Sequence, residues 1–157
     1  MKKLIFLVIA MMSLSGHLYS QTVGGNRIPV NSEFTLRLTA TDSGNYSYEI
    51  SSMKNFKKTL DVMSALMNND RYFKKPVPSD TVKGIFCYIE ANGQKKPYLM
   101  MKSGLSIHVQ CCLYAIDSDA DAVSEHNIEL RPGVIRGDYW RGGVDFIEVS
   151  DFSIYKE

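Results

Sequence analysis

Acidic side chains in residues 115–129 have the spacing of a calcium-binding loop. Counted from residue 117, oxygen-bearing side chains take positions 1, 3, 5 and 9 of an EF-hand loop: Asp117, Asp119, Asp121 and Glu125. The pattern then departs from that motif, because Ala122 stands where the loop needs glycine and Ile128 where it needs a bidentate glutamate. The stretch therefore favours a solvated acidic turn between strands, with a calcium site of another geometry built from the same four residues as the alternative.

Cysteine and histidine could together supply a nucleophile and its base. Cys112 and His108 share a strand face, but four residues of strand separate them by roughly 13 Å, far beyond hydrogen-bond reach. His126 is the other potential base for Cys112. No C-x-x-C or H-x-x-x-H spacing suggests zinc. The sequence therefore predicts no catalytic residues, and a small exported hydrolase using Cys112 or His126 is kept as an alternative.

The stretch GVIRGDYWRGGV, residues 133–144, has the composition of a binding surface. Its candidate contact residues are Arg136, Asp138, Tyr139, Trp140 and Arg141. Trp, Tyr and Arg dominate protein-binding hot spots, and the flanking glycines allow the backbone to turn and expose a tip. Trp140 could equally be a core aromatic at a strand end. Aromatic stacking on a sugar ring is a further alternative for this loop.

The N-terminus has the features of an export signal. Lys2 and Lys3 precede an apolar run over residues 4–12 and small residues over 13–20, which predicts a secretory signal peptide at 1–20 with cleavage near Ser20. The apolar run is about half the roughly 20 residues that a transmembrane helix needs, so we expect no stable membrane anchor. The predicted location is periplasmic or secreted.

Charge and length narrow the class of protein. Of the 18 basic residues, Lys2 and Lys3 belong to the predicted signal, which leaves 16 against 17 acidic residues. A near-neutral chain lacks the basic footprint of a nucleic-acid-binding protein, so no nucleic-acid partner is predicted. The remaining 137 or so residues fit one domain, and the 45% hydrophobic content favours a packed core.

Apolar periodicity predicts the elements that carry these residues. Residues 21–33 are polar and rich in glycine, which suggests a flexible lead-in to a single domain over 34–157. Alternation predicts a hairpin over 34–51, and a period near 3.6 predicts an amphipathic helix over 52–67 whose methionine-rich stripe packs in the core. Asn92-Gly93 predicts a second hairpin, which continues as a meander. The predicted fold is α+β, an antiparallel sheet of about seven or eight strands with one helix; the alternative is a β-sandwich with an inserted helix.

Three cysteines leave at least one thiol without a partner in the chain. If residues 82–91, 94–102 and 105–116 form a meander, Cys87 and Cys111 lie on its outer strands, roughly 9 to 10 Å apart. That distance exceeds the roughly 7 Å limit between the Cα atoms of a disulfide. Adjacent Cys111 and Cys112 point to opposite faces. We therefore expect two buried structural thiols and one that is more exposed.

These observations favour binding over catalysis. The predicted function is that of an exported, non-catalytic binding protein that acts through a protein–protein interface, of the inhibitor or immunity type. A calcium- or carbohydrate-binding module and a small exported hydrolase are the alternatives. No cofactor is predicted, apart from calcium in the first of these alternatives.

Overall fold

Alternating apolar side chains build most of the observed structure, because they give each strand one face suited to a core. A computed structural model describes residues 27–41, 43–119 and 122–156. The strands in these ranges are β1 (Ile28–Pro29), β2 (Ser32–Ala40), β3 (Asn45–Asn55), β4 (Leu60–Asp61), β5 (Thr81–Ala91), β6 (Gln94–Ser103), β7 (Val109–Ile116), β8 (Ala122–Leu130), β9 (Ile135–Tyr139) and β10 (Phe146–Ile154). The α-helix α1 (Val62–Leu66) and a 3₁₀ helix (Asn69–Tyr72) lie between β4 and β5.

All ten strands belong to one sheet. The main order is β8-β7-β10-β3-β2-β5-β6-β9, with β1 paired to β10 and the short β4 running parallel to β5. Every other pairing is antiparallel. The sheet curls until β8 and β9 approach each other, so the chain forms a mostly-β single domain nearly closed into a barrel. We call the junction between the facing edges of β8 and β9 the seam.

Both predicted hairpins are confirmed. Strands β2 and β3 pair from Ser32↔Asn55 to Ala40↔Tyr46, and β5 and β6 pair along their whole length. Asn92 and Gly93 connect β5 to β6 with φ angles of 53° and 72°. Two consecutive positive φ values suit the right-handed twist of a tight hairpin, and Asn-Gly adopts them at low cost.

The predicted meander is wrong beyond β6. Strand β7 pairs with β8 and β10, whereas the other neighbour of β6 is β9. The last strand, β10, pairs with β7 through an irregular register between Ser150 and Ser153. Strands β7 and β8 are consecutive and form a hairpin, but order along the chain does not decide the pairings of β7 with β10 and of β6 with β9, which join strands distant in sequence.

Two apolar clusters hold the domain together. The larger cluster lies within the curve of the sheet and includes Phe34, Phe86, Leu99 and Trp140. The smaller one lies on the other face of β5 and β6, where side chains that alternate with the first set, such as Met100, pack under α1. Strands β5 and β6 are therefore buried on both faces, which explains their nearly continuous apolar sequences.

The predicted helix over residues 52–67 is wrong for most of its length. Strand β3 continues to Asn55 because its backbone pairs with β2, and α1 begins only after Asp61. The Asp61 carboxylate accepts a hydrogen bond from the Ser64 backbone N–H at 2.8 Å, which caps the helix. Pairing with a neighbouring strand thus overrides the helical period. The fold is mostly β rather than an even mixture of α and β, and its single sheet excludes the sandwich alternative.

The folded part begins before residue 34. Ile28 is fully buried and pairs with Ile147 of β10, so the second half of the predicted flexible lead-in belongs to the sheet. The predicted signal peptide, residues 1–20, and residues 21–26 lie outside the described ranges. Within those ranges α1 has five residues, and no helix has the length and apolar character needed to cross a bilayer.

Candidate functional site

Polar side chains join β8 to β9 across the seam. His126 Nδ1 lies 2.8 Å from Asp138 Oδ2, and the Trp140 indole N–H donates to Ser124 Oγ at 2.9 Å. Alternate residues of β8 point into the curve of the sheet, which places Ser124 and His126 on the same face as the buried Ile128. Side-chain bonds therefore link two strands whose backbones are not paired with each other.

Trp140 is a core residue and not an exposed tip. Its side chain is 6% exposed and belongs to the larger apolar cluster. The edge of Phe86 meets its ring at 5.9 Å between centroids, and His126 stacks on it at the same distance with 22° between the planes. The structure thus agrees with the alternative interpretation, in which Trp140 is a core aromatic. A sugar-stacking role for Trp140 loses its physical basis, because the ring has no free face.

The five candidate residues of the glycine-flanked stretch do not share one surface. Asp138 faces His126 across the seam, and Arg136, opposite Met101 in β6, lies on the same side of β9. Tyr139, which is 54% exposed, points to the other side of the sheet, beside its register partner Tyr98. Arg141 is exposed just after β9. Among the candidate residues of β9, Tyr139 is therefore the one on the face of the sheet that also carries α1.

The acidic stretch does not assemble a metal site in the described part of the chain. The Asp119 backbone N–H donates to Asp117 Oδ1 at 3.0 Å, which closes a local turn. Glu125 is instead part of β8, where it accepts a hydrogen bond from the Cys112 thiol at 3.3 Å. Asp121 lies outside the described residues. No group of three or more potential metal ligands occurs among the residues that the structure describes.

The cysteines have the environment of structural thiols. Cys87, Cys111 and Cys112 form no disulfide and all three are buried, so the more exposed thiol expected from the sequence is not observed. Burial raises the pKa of Cys87 and of Cys111 to about 12. Burial also raises the pKa of Cys112. A raised pKa keeps the thiol protonated, which is the opposite of what a nucleophile requires.

The predicted histidine partners are not available to these thiols. His126 is bound to Asp138 and stacked on Trp140. His108 stacks on Tyr155 with 4.2 Å between ring centroids, and its Nε2 lies 3.6 Å from Glu129 Oε2. The structure therefore does not bring Cys112 together with a histidine base among the contacts it describes.

An exposed apolar surface lies on α1, where the sequence analysis expected core packing. Met63, Leu66 and Met67 are 62%, 55% and 71% exposed. They are spaced at i, i+3 and i+4, and Met67, the C-cap residue, keeps an αR conformation with its N–H bonded to the Met63 carbonyl, so the three side chains adjoin on one side of the helix, which we call the helix face. The opposite side is docked: Ala65 is fully buried, and its carbonyl accepts a hydrogen bond from the Tyr98 hydroxyl at 3.2 Å.

Basic side chains surround the segment that leads into α1. One open cavity of about 530 Å³ is lined by Lys58, Thr59, Leu60, Asp61, Arg71, Tyr72 and Lys74. A second, of about 650 Å³, is lined among others by Lys57, Thr59 and Lys95. Because Thr59 lines both, we treat them as one feature, the basic groove. The amino-acid sequence shows lysines clustered at 54–58 and 74–75, but their spacing along the chain does not indicate that the two clusters meet in one groove.

Comparison with known proteins finds no match to this chain. No protein-family model, no curated protein sequence and no solved structure matches the chain.

Proposed function

We propose that the protein is an exported, non-catalytic binding protein that acts through a protein–protein interface. The observation that carries the proposal is the helix face, three adjacent apolar side chains exposed on a helix whose other side is docked to the sheet. The glycine-flanked stretch contributes Tyr139 to the same face of the sheet. The binding surface is thus centred on α1 rather than on Trp140.

The size of the helix face suits a partner contact. Full burial of an apolar side chain contributes about 1.5 to 3 kcal/mol. Weighted by the exposed fractions of Met63, Leu66 and Met67, a partner that covers all three gains about 3 to 6 kcal/mol. Micromolar binding needs about 8 kcal/mol, so the helix face supplies a large part of such an interface but needs further contacts around it. Methionine suits this role because its unbranched, polarizable side chain adapts to different surfaces.

The chemistry of the remaining candidates supports a non-catalytic role. The thiols are protonated and buried, and His126 lies against Asp138 and Trp140 with no described thiol as its partner. Catalysis by general base and nucleophile needs these groups within hydrogen-bond reach of each other. Their described contacts instead stabilise the core and the seam.

The test uses four baits to capture proteins from the envelope and culture fluid of the producing cell. They are the mature wild type, Leu66→Glu/Met67→Glu, and two controls: Met53→Glu, which alters a methionine of β3 that is 46% exposed, and an unrelated protein. Equal melting temperatures establish that the variants are folded. We expect a protein held by wild type and by Met53→Glu but lost from the double variant.

Two results contradict the proposal. One is retention of the same proteins by wild type and by the double variant. The other is the absence of any protein that wild type retains and the unrelated bait does not. A retained protein that the double variant loses also provides the complex needed to measure affinity, for which a loss of about 3 kcal/mol or more is expected from two buried charges.

A further inference from the structure

We propose that the basic groove binds an acidic segment of the partner. Carboxylates of that segment lie in the groove while neighbouring apolar side chains cover the helix face. This inference rests on the proposed function and assigns the chemistry of its partner. The two surfaces adjoin, because the groove includes Leu60 and Asp61 and α1 begins at the next residue.

The groove carries more positive charge than the protein itself neutralises. Its cations are Lys57, Lys58, Arg71, Lys74 and Lys95. In the described part of the chain, the ion pairs within 4.0 Å involve none of these five. Asp61 lines the first cavity, and hydrogen bonds from Ser64 and, to a smaller extent, the charge of Arg71 lower its pKa. Glu90, the register partner of Lys95, lines a third cavity that shares Thr59, Leu60 and Asp61 with the first. Five cations thus stand against two carboxylates. The groove therefore has a local excess of positive charge.

The excess of positive charge is local to the basic groove and does not follow from the composition of the whole chain. The whole chain has 18 basic and 17 acidic residues, so an unbiased surface would be close to neutral everywhere. Like charges that lie within a Debye length, about 8 Å at physiological ionic strength, repel one another. An anionic partner relieves that repulsion, and the charge also steers its approach and raises the association rate.

The shape of the groove favours a polypeptide over a flat anionic surface, and its aromatic residues are poorly placed to stack on bases. A groove of two cavities that share Thr59 accommodates a narrow chain, whereas a bilayer surface is flat on this scale. Single-stranded nucleic acid binds by stacking its bases on free aromatic rings. Two aromatic residues line the cavities. Phe56 packs edge-on against the Tyr72 ring at 6.0 Å and the Arg71 guanidinium lies 4.9 Å from its centroid, while Tyr88 in the second cavity is half-buried, so neither ring is fully open to a stacked base.

The experiment measures binding of two labelled synthetic peptides by fluorescence anisotropy. Both carry leucines at i, i+3 and i+4, and one has glutamate wherever the other has lysine. The proteins are wild type, Lys58→Glu/Lys74→Glu in the groove, and Lys54→Glu/Lys156→Glu as a control with the same change in net charge. Both control lysines are exposed and lie outside the two cavities.

We expect the acidic peptide to bind wild type and the basic peptide not to bind. Exposed ion pairs contribute about 0.2 to 1 kcal/mol each, so reversing two charges should weaken the acidic peptide roughly tenfold, and the control pair should change it less than threefold. Raising the salt from 20 to 300 mM should remove most of the difference. Equal binding of the two peptides, or equal effects of groove and control pairs, overturns the inference.

Two further experiments distinguish an acidic polypeptide from other anions, and distinguish failure of this inference from failure of the proposed function. Vesicles with anionic lipid and a dT12 oligonucleotide are offered to the same proteins; groove-dependent binding of either one without binding of the acidic peptide assigns the groove to another class of anion and overturns the proposal. The groove variant also serves as a further bait in the capture experiment. If it keeps a partner that Leu66→Glu/Met67→Glu loses, the acidic-segment inference fails and the proposed function stands. If the helix-face variant keeps the partner as well, the proposed function fails.

Discussion

Replacing Ser124 by alanine tests whether side chains hold the seam closed. The change removes the acceptor of the Trp140 indole N–H, which donates at 2.9 Å. Because Trp140 is 6% exposed, water reaches this donor poorly, and an unsatisfied buried donor costs about 1 to 3 kcal/mol. Trp140→Phe removes the donor instead, and the half-buried Ser124 can then be hydrated. We expect each variant to lower the free energy of unfolding by about 1 to 3 kcal/mol.

The two changes should not be additive. Once phenylalanine replaces Trp140, loss of the Ser124 hydroxyl leaves no buried donor without an acceptor. The double variant should therefore be about 1 kcal/mol more stable than the sum of the single effects predicts. Urea unfolding followed by far-ultraviolet circular dichroism measures all four proteins. Fluorescence serves only the variants that keep Trp140, since it is the single tryptophan. Ser106→Ala, at an exposed loop position, is the control and should change stability by less than about 0.5 kcal/mol.

Additive effects would refute this account of the seam. So would a Ser124→Ala variant as stable as the Ser106→Ala control. The same geometry means that Trp140→Ala is a poor probe of binding, because removing a buried tryptophan costs about 3 to 5 kcal/mol and threatens the fold itself.

Two further predictions concern the core. Burial raises the pKa of Cys87 and of Cys111 from the ordinary thiol value of 9.0 to about 12, so between these pH values the unfolded chain loses thiol protons that the folded protein retains. Stability should therefore fall as pH rises through this window, by about 1.4 kcal/mol per pH unit for each thiol, and Cys87→Ala/Cys111→Ala should show a flatter pH profile in urea titrations; an unchanged slope contradicts this. Gly84→Ala places a Cβ 2.1 Å from the buried Phe34 ring and should cost about 1 to 3 kcal/mol, whereas Gly142→Ala, whose Cβ meets nothing within 4 Å, should be nearly neutral. Equal melting temperatures for these two variants would contradict this prediction, because they would show that the core around Gly84 relaxes to accommodate the added methyl group.

Local chemistry was enough to predict the hairpins. Asn92-Gly93 adopts positive φ at both positions more readily than other pairs, and the alternation in 34–51 leaves one face apolar. Both signals act over a few residues, so they do not depend on what the rest of the chain does.

The helix shows where local periodicity loses to tertiary pairing. Residues 52–67 have apolar side chains at helical spacing, but those up to Asn55 complete a strand against β2. The shortened helix then buries Ala65 and exposes Met63 and Met67, which reverses the expected role of the methionine stripe. Periodicity predicts which side chains of an element can share a face, whereas only tertiary packing decides which face is buried.

By itself, then, the sequence determined an antiparallel, strand-rich single domain, the positions of its tight turns and the near neutrality of the whole chain. These depend on backbone preferences and composition, which are local or additive properties. The tertiary structure decided that Trp140 is buried, that His126 meets Asp138, and that lysines from separate segments line one groove. Each of these depends on the curl of the sheet and the course of the loop around α1, which bring together residues that no spacing along the chain relates.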